Sequence, residues 1–511
     1  MKTKKLLITL VIAMFFTSFT ALAQAPAIDW QKSLGGSNAD VAICTKQTPD
    51  GGYIVTGLSN SEDGDIFVNH GGNDFWVTKL DVDGVIQWSN SFGGTKNDEA
   101  YFITITSDGG YIVAGLSYSD NGDATVNHGD ADYWIVKINN IGNLQWQKSY
   151  GGSGYDKINS IEETSDGGYI VAGYSGSTDG DVTGNHGKND YWILKIQSDG
   201  AISWQKSLGG SDNEKAYSVK ETADGGYIVF GFTGSMDGDI TNNHGGFDYW
   251  VTKINSIGNL EWQKTYGGTQ SDIGAVIALD VDGYILTGQS ESYDGDATFN
   301  NGGYDYWTLK IDFDGSILWQ KSYGGSADDI AYSVGKTTGN GYVISGYSES
   351  NNGDVTGNHG MNDVWVVKLH SDGSFNWELS LGGSTTDGSA FIEQTADGGY
   401  IATCTANSID GDVTGNHGGF DYWIVKLDAD LATSLTSVQS KNSQIYPNPF
   451  QDFIVLPHDT KNYEITNEFG KVISNKVFNN MVNTEELPPG VYFAEITLKD
   501  GSKTVAKLIK Q

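Results

Sequence analysis

Trp30-Gln31-Lys32-Ser33-Leu34-Gly35-Gly36-Ser37 decides the fold, because the chain returns to this stretch at a fixed interval. Trp88, Trp146, Trp204, Trp262, Trp319 and Trp377 each open a related segment. The interval is 58 residues, and it shrinks once to 57, where Asp282-Gly283-Tyr284 replaces the longer Asp50-Gly51-Gly52-Tyr53 of the first copy. A second series, Trp76, Trp134, Trp192, Trp250, Trp307, Trp365 and Trp423, keeps the same period, and together they use all 14 tryptophans. A fixed period of this kind signals supersecondary units that bury their faces only against one another.

Each unit reads as four short strands. In the first copy they lie near Ala42 to Gln47, Tyr53 to Ser59, Phe75 to Leu80 and Val85 to Ser91. β-Branched and aromatic runs favour strands, and the Asp-Gly turns between them supply the positive φ of tight hairpins. Phe75-Trp76-Val77 is apolar on both faces, as a sheet packed between two sheets requires. Four antiparallel strands per repeat describe a propeller blade.

The ends of the array complement one another. A lone outer strand, Ile28 to Ser33, precedes any inner strand, and the last repeat stops at its third strand, Tyr422 to Leu427. Joined, they complete seven blades and leave few open edges. An open solenoid is the alternative, but it has no use for such a matched pair of ends. The expected class is all-β: a seven-bladed β-propeller over residues 26–431, then a linker over 432–443 and a small β-sandwich over 444–511.

Met1-Lys2-Thr3-Lys4-Lys5, the apolar run to Phe16 and Ala21-Leu22-Ala23 have the form of a secretory signal peptide over residues 1–23. No other stretch reaches the roughly 18 to 20 apolar residues of a transmembrane helix. The formal charge is −34, with 64 acidic residues and no arginine. Nucleic acid and anionic membrane both need clustered positive charge, so neither is an expected partner.

Tyr446-Pro447-Asn448-Pro449-Phe450, Gly470-Lys471-Val472, Gly490-Val491-Tyr492 and Lys507-Leu508-Ile509-Lys510 form a set. As a set they resemble the type A sorting domain of the Bacteroidota type IX secretion system. The resemblance implies the type IX secretion machinery as a partner, passage through the outer membrane, and release or anchoring at the cell surface. The repeats also resemble those of secreted bacterial proteins with Asp-Gly-Gly-Tyr-Ile-Val-x-Gly blades, which implies the fold and little chemistry.

Two loops per blade share one face: the link between blades and the long connection from second to third strand. That connection carries Asp63-Gly64-Asp65, repeated with Asp179 and Asp181, Asp237 and Asp239, Asp294 and Asp296, and Asp410 and Asp412. Such carboxylates are candidate calcium ligands, although Asp-Gly is first a turn signature and these side chains cap turns. His70, His128, His186, His244, His359 and His417 share one slot in the same loop, with Asn301 in the seventh copy. Blades hold them too far apart for a zinc site, so hydrogen bonds within each loop are expected.

The slot before the loop's last aspartate breaks the repeat, with Phe247, Tyr304 and Phe420 in three copies. Rings there, beside His70, His244 and His417 in their own slot, are the candidate ligand-binding set, for a glycan or a protein. Asp40 and its counterparts open every first strand, and Lys79 and its counterparts recur in every third strand. Ion pairs between those two sets are the expectation. Cys44 lies in the first blade, and Cys404 takes the slot of Gly57 in the seventh. A closed ring makes those blades neighbours, leaving open a disulfide or two buried thiols.

The expected function is non-catalytic binding or adhesion outside the cell. The alternative is a secreted polysaccharide-degrading enzyme with a site near the propeller channel. Every candidate carboxylate recurs in equivalent surroundings, whereas glycoside hydrolysis needs an acid and a base in different ones.

Overall fold

The computed structural model describes residues 23–430 without a break, then Ile445, 449–456, 460–467, 471–474, 481–485, 487–499 and 503–510. The leader up to residue 22, the linker 432–443, Tyr446-Pro447-Asn448 and Gly470 lie outside the described residues. The chain divides into two units, Met1–Leu431 and Ala432–Gln511.

In the first unit, β1 (Ile28–Leu34) is followed by a four-strand blade: β2 (Asp40–Gln47), β3 (Tyr53–Ser59), β4 (Asp74–Leu80) and β5 (Ile86–Phe92). Blades two to six repeat that order from β6 (Asp98–Ile105) to β25 (Phe375–Leu381). The seventh holds β26 (Asp387–Gln394), β27 (Tyr400–Ala406) and β28 (Asp421–Leu427), completed by β1 in the order β1-β28-β27-β26. β1 pairs antiparallel with β28 from Ile28↔Leu427 to Leu34↔Tyr422. The protein is thus a seven-bladed β-propeller whose N-terminal strand closes the ring.

The third strands are buried end to end because a blade lies on either side. Their tryptophans are 0% exposed, from Trp76 to Trp423. Burying a ring of this size contributes about 5 kcal/mol before ordering entropy. A buried indole N–H needs an acceptor, and the outer strand supplies it: Trp134 donates to Gln147 at 2.9 Å, and Trp423 donates to Gln31 at 2.7 Å. The glutamine of Trp-Gln-Lys therefore serves the tryptophan of the other series.

The lysine set does not pair as the sequence suggested. Lys79 bonds Asp50 at 3.0 Å, and Lys137, Lys195, Lys253 and Lys426 bond Asp108, Asp166, Asp224 and Asp397. These aspartates belong to the hairpin after the first strand. The reason is strand direction. Lys79 ends β4 at the hairpin face, whereas Asp40 starts β2 at the opposite face, and a strand rises about 3.3 Å per residue. Asp40 instead accepts from Gly36 N at 2.8 Å and Ser61 Oγ at 2.9 Å.

The second unit has two small sheets. β29 (Phe453–Val455) pairs with β32 (Met481–Asn483). β30 (Thr460–Asn467), β31 (Val472–Ser474), β33 (Gly490–Leu498) and β34 (Lys503–Lys510) form the other, ordered β31-β30-β33-β34. Phe450, Ile454, Ile465, Val482, Tyr492 and Leu508 fill the core of this sandwich.

Candidate functional site

The first strand of every blade carries a β-bulge. In β2, Ala42 faces Gly57 and Cys44 faces Thr56, so Ile43 has no partner on β3. Tyr101, Asn159, Tyr217, Ala275, Tyr332 and Ala390 are the skipped residues of the other blades. The bulge requires a glycine opposite it in the first blade, because a Cβ on Gly57 would lie 2.0 Å from the Val41 carbonyl oxygen. A bulge re-aims a side chain, and innermost strands face the propeller axis. All seven skipped residues line one cavity of about 750 Å³. A slot repeated for structure thus delivers a varied set of side chains to one place.

Aromatic rings gather at the end of this channel on the loop face. Tyr118, Tyr155 and Tyr174 form a chain with centroids 6.4 and 6.0 Å apart. Tyr217, Phe232 and Phe247 form another, with separations of 6.0 and 4.8 Å. Tyr332 stands 6.0 Å from Tyr347. Two lysines lie over rings here: Lys157 Nζ is 3.6 Å from the centroid of Tyr101, a bulge residue, and Lys215 Nζ is 4.7 Å from that of Tyr174. Such placement is attractive through the ring quadrupole. Burial draws Lys157 down to about 8, against the pull of Glu99.

Of the residues singled out from the sequence, Phe420 lines the cavity and Phe247 joins the aromatic chain beside it. Tyr304 is half-buried, and burial raises its hydroxyl above the usual range. The histidines stay within their own loops. His70, His244 and His417 place Nδ1 at 2.7, 2.7 and 2.8 Å from Asp74, Asp248 and Asp421, each four residues on. His70 also borders a second cavity of about 390 Å³ with Phe67 and Val68.

The Asp-Gly-Asp carboxylates hold the link between blades. Asp63, Asp179, Asp237, Asp294 and Asp410 accept the N–H of Ser37, Ser153, Ser211, Thr269 and Ser384 at 2.7 to 2.8 Å. Asp65, Asp181, Asp239, Asp296 and Asp412 accept from Gly35, Gly151, Gly209, Gly267 and Gly382 at 3.1 to 3.4 Å. Gly64 sits at φ 65° to make the bend between them. Among the described residues, no group of three or more His, Cys, Asp or Glu is placed to hold a metal ion.

Sequence reasoning missed the bulge residues. A signal was present. Three positions after the acidic residues Asp40, Asp98, Asp156 and Glu214 stand Ile43, Tyr101, Asn159 and Tyr217, which differ in size and polarity while the acidic slot stays acidic.

Residues 444–511 match the model of the secretion system C-terminal sorting domain, and the tail is a type IX sorting domain. Regulatory protein FlaEY of Caulobacter vibrioides is 26% identical over 304 residues, 52% of this chain and 32% of that protein. The chain therefore aligns with about a third of that relative's length. Among solved structures, Sqt1 from Chaetomium thermophilum shares 12% identity at a TM-score of 0.42, covering 79% of this chain and 100% of its own. Drosophila Semaphorin 1a, extracellular domains 1-2, shares 10% at 0.41, covering 79% and 88%. Likeness at that level carries no functional argument. Among the described residues, no helix is long and apolar enough to cross a membrane.

Proposed function

We propose that this chain is a non-catalytic binding module, exported by the type IX machinery of a Bacteroidota cell and released or held at its surface. Its channel mouth takes an extracellular glycan or protein. The observation that carries this reading is the delivery of seven bulge residues of varied chemistry into one cavity, beside an aromatic rim. A cavity of this size lies within the roughly 300 to 1,000 Å³ that encloses small ligands.

The competing reading, a polysaccharide-degrading enzyme, draws on Glu393, which lines the same cavity. Glu393 is bonded to Lys46 at 2.9 Å, and no second carboxylate lines that cavity among the described residues. Glycoside hydrolysis uses two. A glycan and protein binding screen, run beside hydrolysis assays on one preparation, tests the proposal. Retained binding without turnover is the expected result. Turnover that disappears in Glu393→Gln would overturn it.

A further inference from the structure

We infer that the channel takes an acidic oligosaccharide, with a sugar carboxylate at Lys157 and a sugar ring against Tyr101 or Tyr217. This rests on the binding reading above and names the ligand class of that site.

The argument starts from charge. The whole chain carries 64 acidic residues against 30 basic ones. The cavity reverses that balance, lined by Lys46, Lys157, Lys220 and Lys336 against Glu393 alone. Lys46 is taken by Glu393, Lys336 by Asp280, and Lys220 lies 3.8 Å from Glu162. Lys157 has no ion pair within 4 Å among the described residues, and neither does Lys215 on the next blade.

Lys157 has the Tyr101 face and the longer-range pull of Glu99 but no carboxylate in contact, and a partly buried ammonium so placed is costly in a chain with carboxylates to spare. At the matching height the other blades carry Val41, Glu99, Lys215, Ile273, Ile330 and Gly388, so a lysine there serves no shared structural need. An anion entering the channel supplies that contact. The rings decide which kind of anion: a pyranose presents a flat C–H face that packs on an aromatic ring, and Tyr101 and Tyr217 both line the cavity. The cavity's volume suits a few linked sugar rings.

The test is calorimetric titration of the full chain with oligogalacturonate, oligomannuronate and chondroitin sulfate, each beside a neutral control. For the uronates the control is the methyl ester, and for chondroitin sulfate it is the desulfated methyl ester. Binding of at least one acidic oligosaccharide, weakened tenfold or more by neutralisation, is expected. Lys157→Met should weaken it to a similar degree, whereas Lys96→Met, on an exposed link, should not. Polyglutamate should bind worse than the best sugar. Equal affinity for the neutral form overturns the acidic-sugar inference and leaves the binding module standing. Tighter polyglutamate binding, or none by any of the three sugars, also overturns it. The esterified control decides even if Lys157→Met does not fold.

Discussion

Cys404 packs in one core cluster with Val364, at the junction of blades six and seven. Five other junctions oppose a glycine to a tyrosine hydroxyl there: Gly57 to Tyr422, Gly173 to Tyr133, Gly231 to Tyr191, Gly288 to Tyr249 and Gly346 to Tyr306. Those hydroxyls reach across to the next blade's tryptophan carbonyl, as Tyr422 does to Trp76 at 3.2 Å. Val364 has no such reach, and Cys404 fills the room it leaves. Cys44 lies in the cluster between blades one and two, its Sγ 3.7 Å from the Ile103 oxygen. The two thiols thus belong to different junctions, and both are free.

Val364→Tyr should therefore cost about 1 to 3 kcal/mol through overpacking against Cys404. The pair Val364→Tyr with Cys404→Gly should recover most of that loss, because it rebuilds the junction of the other blades. Denaturant melts of both single variants and the pair give the coupling. Additive effects would show that the two positions are independent.

Removing residues 26–34 takes away β1, its ladder with β28 and the Gln31 acceptor of the Trp423 indole. A buried indole loses its partner and a strand edge opens to solvent, so a loss above ~4 kcal/mol is expected. Thermal melting of the shortened chain checks this, and an unchanged midpoint would refute the closure.

A chelator should leave the melting temperature of the exported protein unchanged, since the Asp-Gly-Asp carboxylates are engaged by backbone N–H groups. A fall that added calcium reverses would instead show a bound cation, because a ligand of the folded state stabilises it by mass action.

Asp305 is wholly buried in the one loop with Asn301 in place of histidine. Burial pushes it up to about 7, with Asp329 and Asp354 adding repulsion. Burial likewise pushes Asp74, Asp156, Asp272 and Asp329 up to about 6. A carboxyl raised above its unfolded value stabilises the fold fully below about 4, and that contribution is lost as pH rises through the folded value. The propeller should therefore be less stable at pH 8 than at pH 5, by more than ~1 kcal/mol. Asn301→His should flatten part of that slope. Melts across the pH range read both effects.

The blade count and ring closure were legible because tryptophans, Asp-Gly turns and the two unmatched end strands are local signals with a fixed spacing. The hairpin glycines Gly51 and Gly84 have φ of 85° and 75°, as their turn residues implied. What stayed hidden depends on three dimensions. Asp40-Val41-Ala42-Ile43-Cys44 reads as unbroken strand, and only its pairing with β3 reveals that Ile43 is extra. The lysine partners were misassigned because residue type does not say which end of a strand meets which turn. Phe420 and Phe247 were singled out through their departure from the repeat, and the same criterion applied to the first strands would have singled out Tyr101 and Lys157.

Because β28 is bonded on both sides, to β27 and to β1, it also determines how the propeller bears a pull. Tension entering after Leu427 meets a strand held by two ladders, with no free edge to peel. Asp428 N donates to the Ala27 oxygen at 2.9 Å, adding a clasp where the chain leaves the blade. The first strand of the array thus grips the last, so a pull on one end is shared with the other.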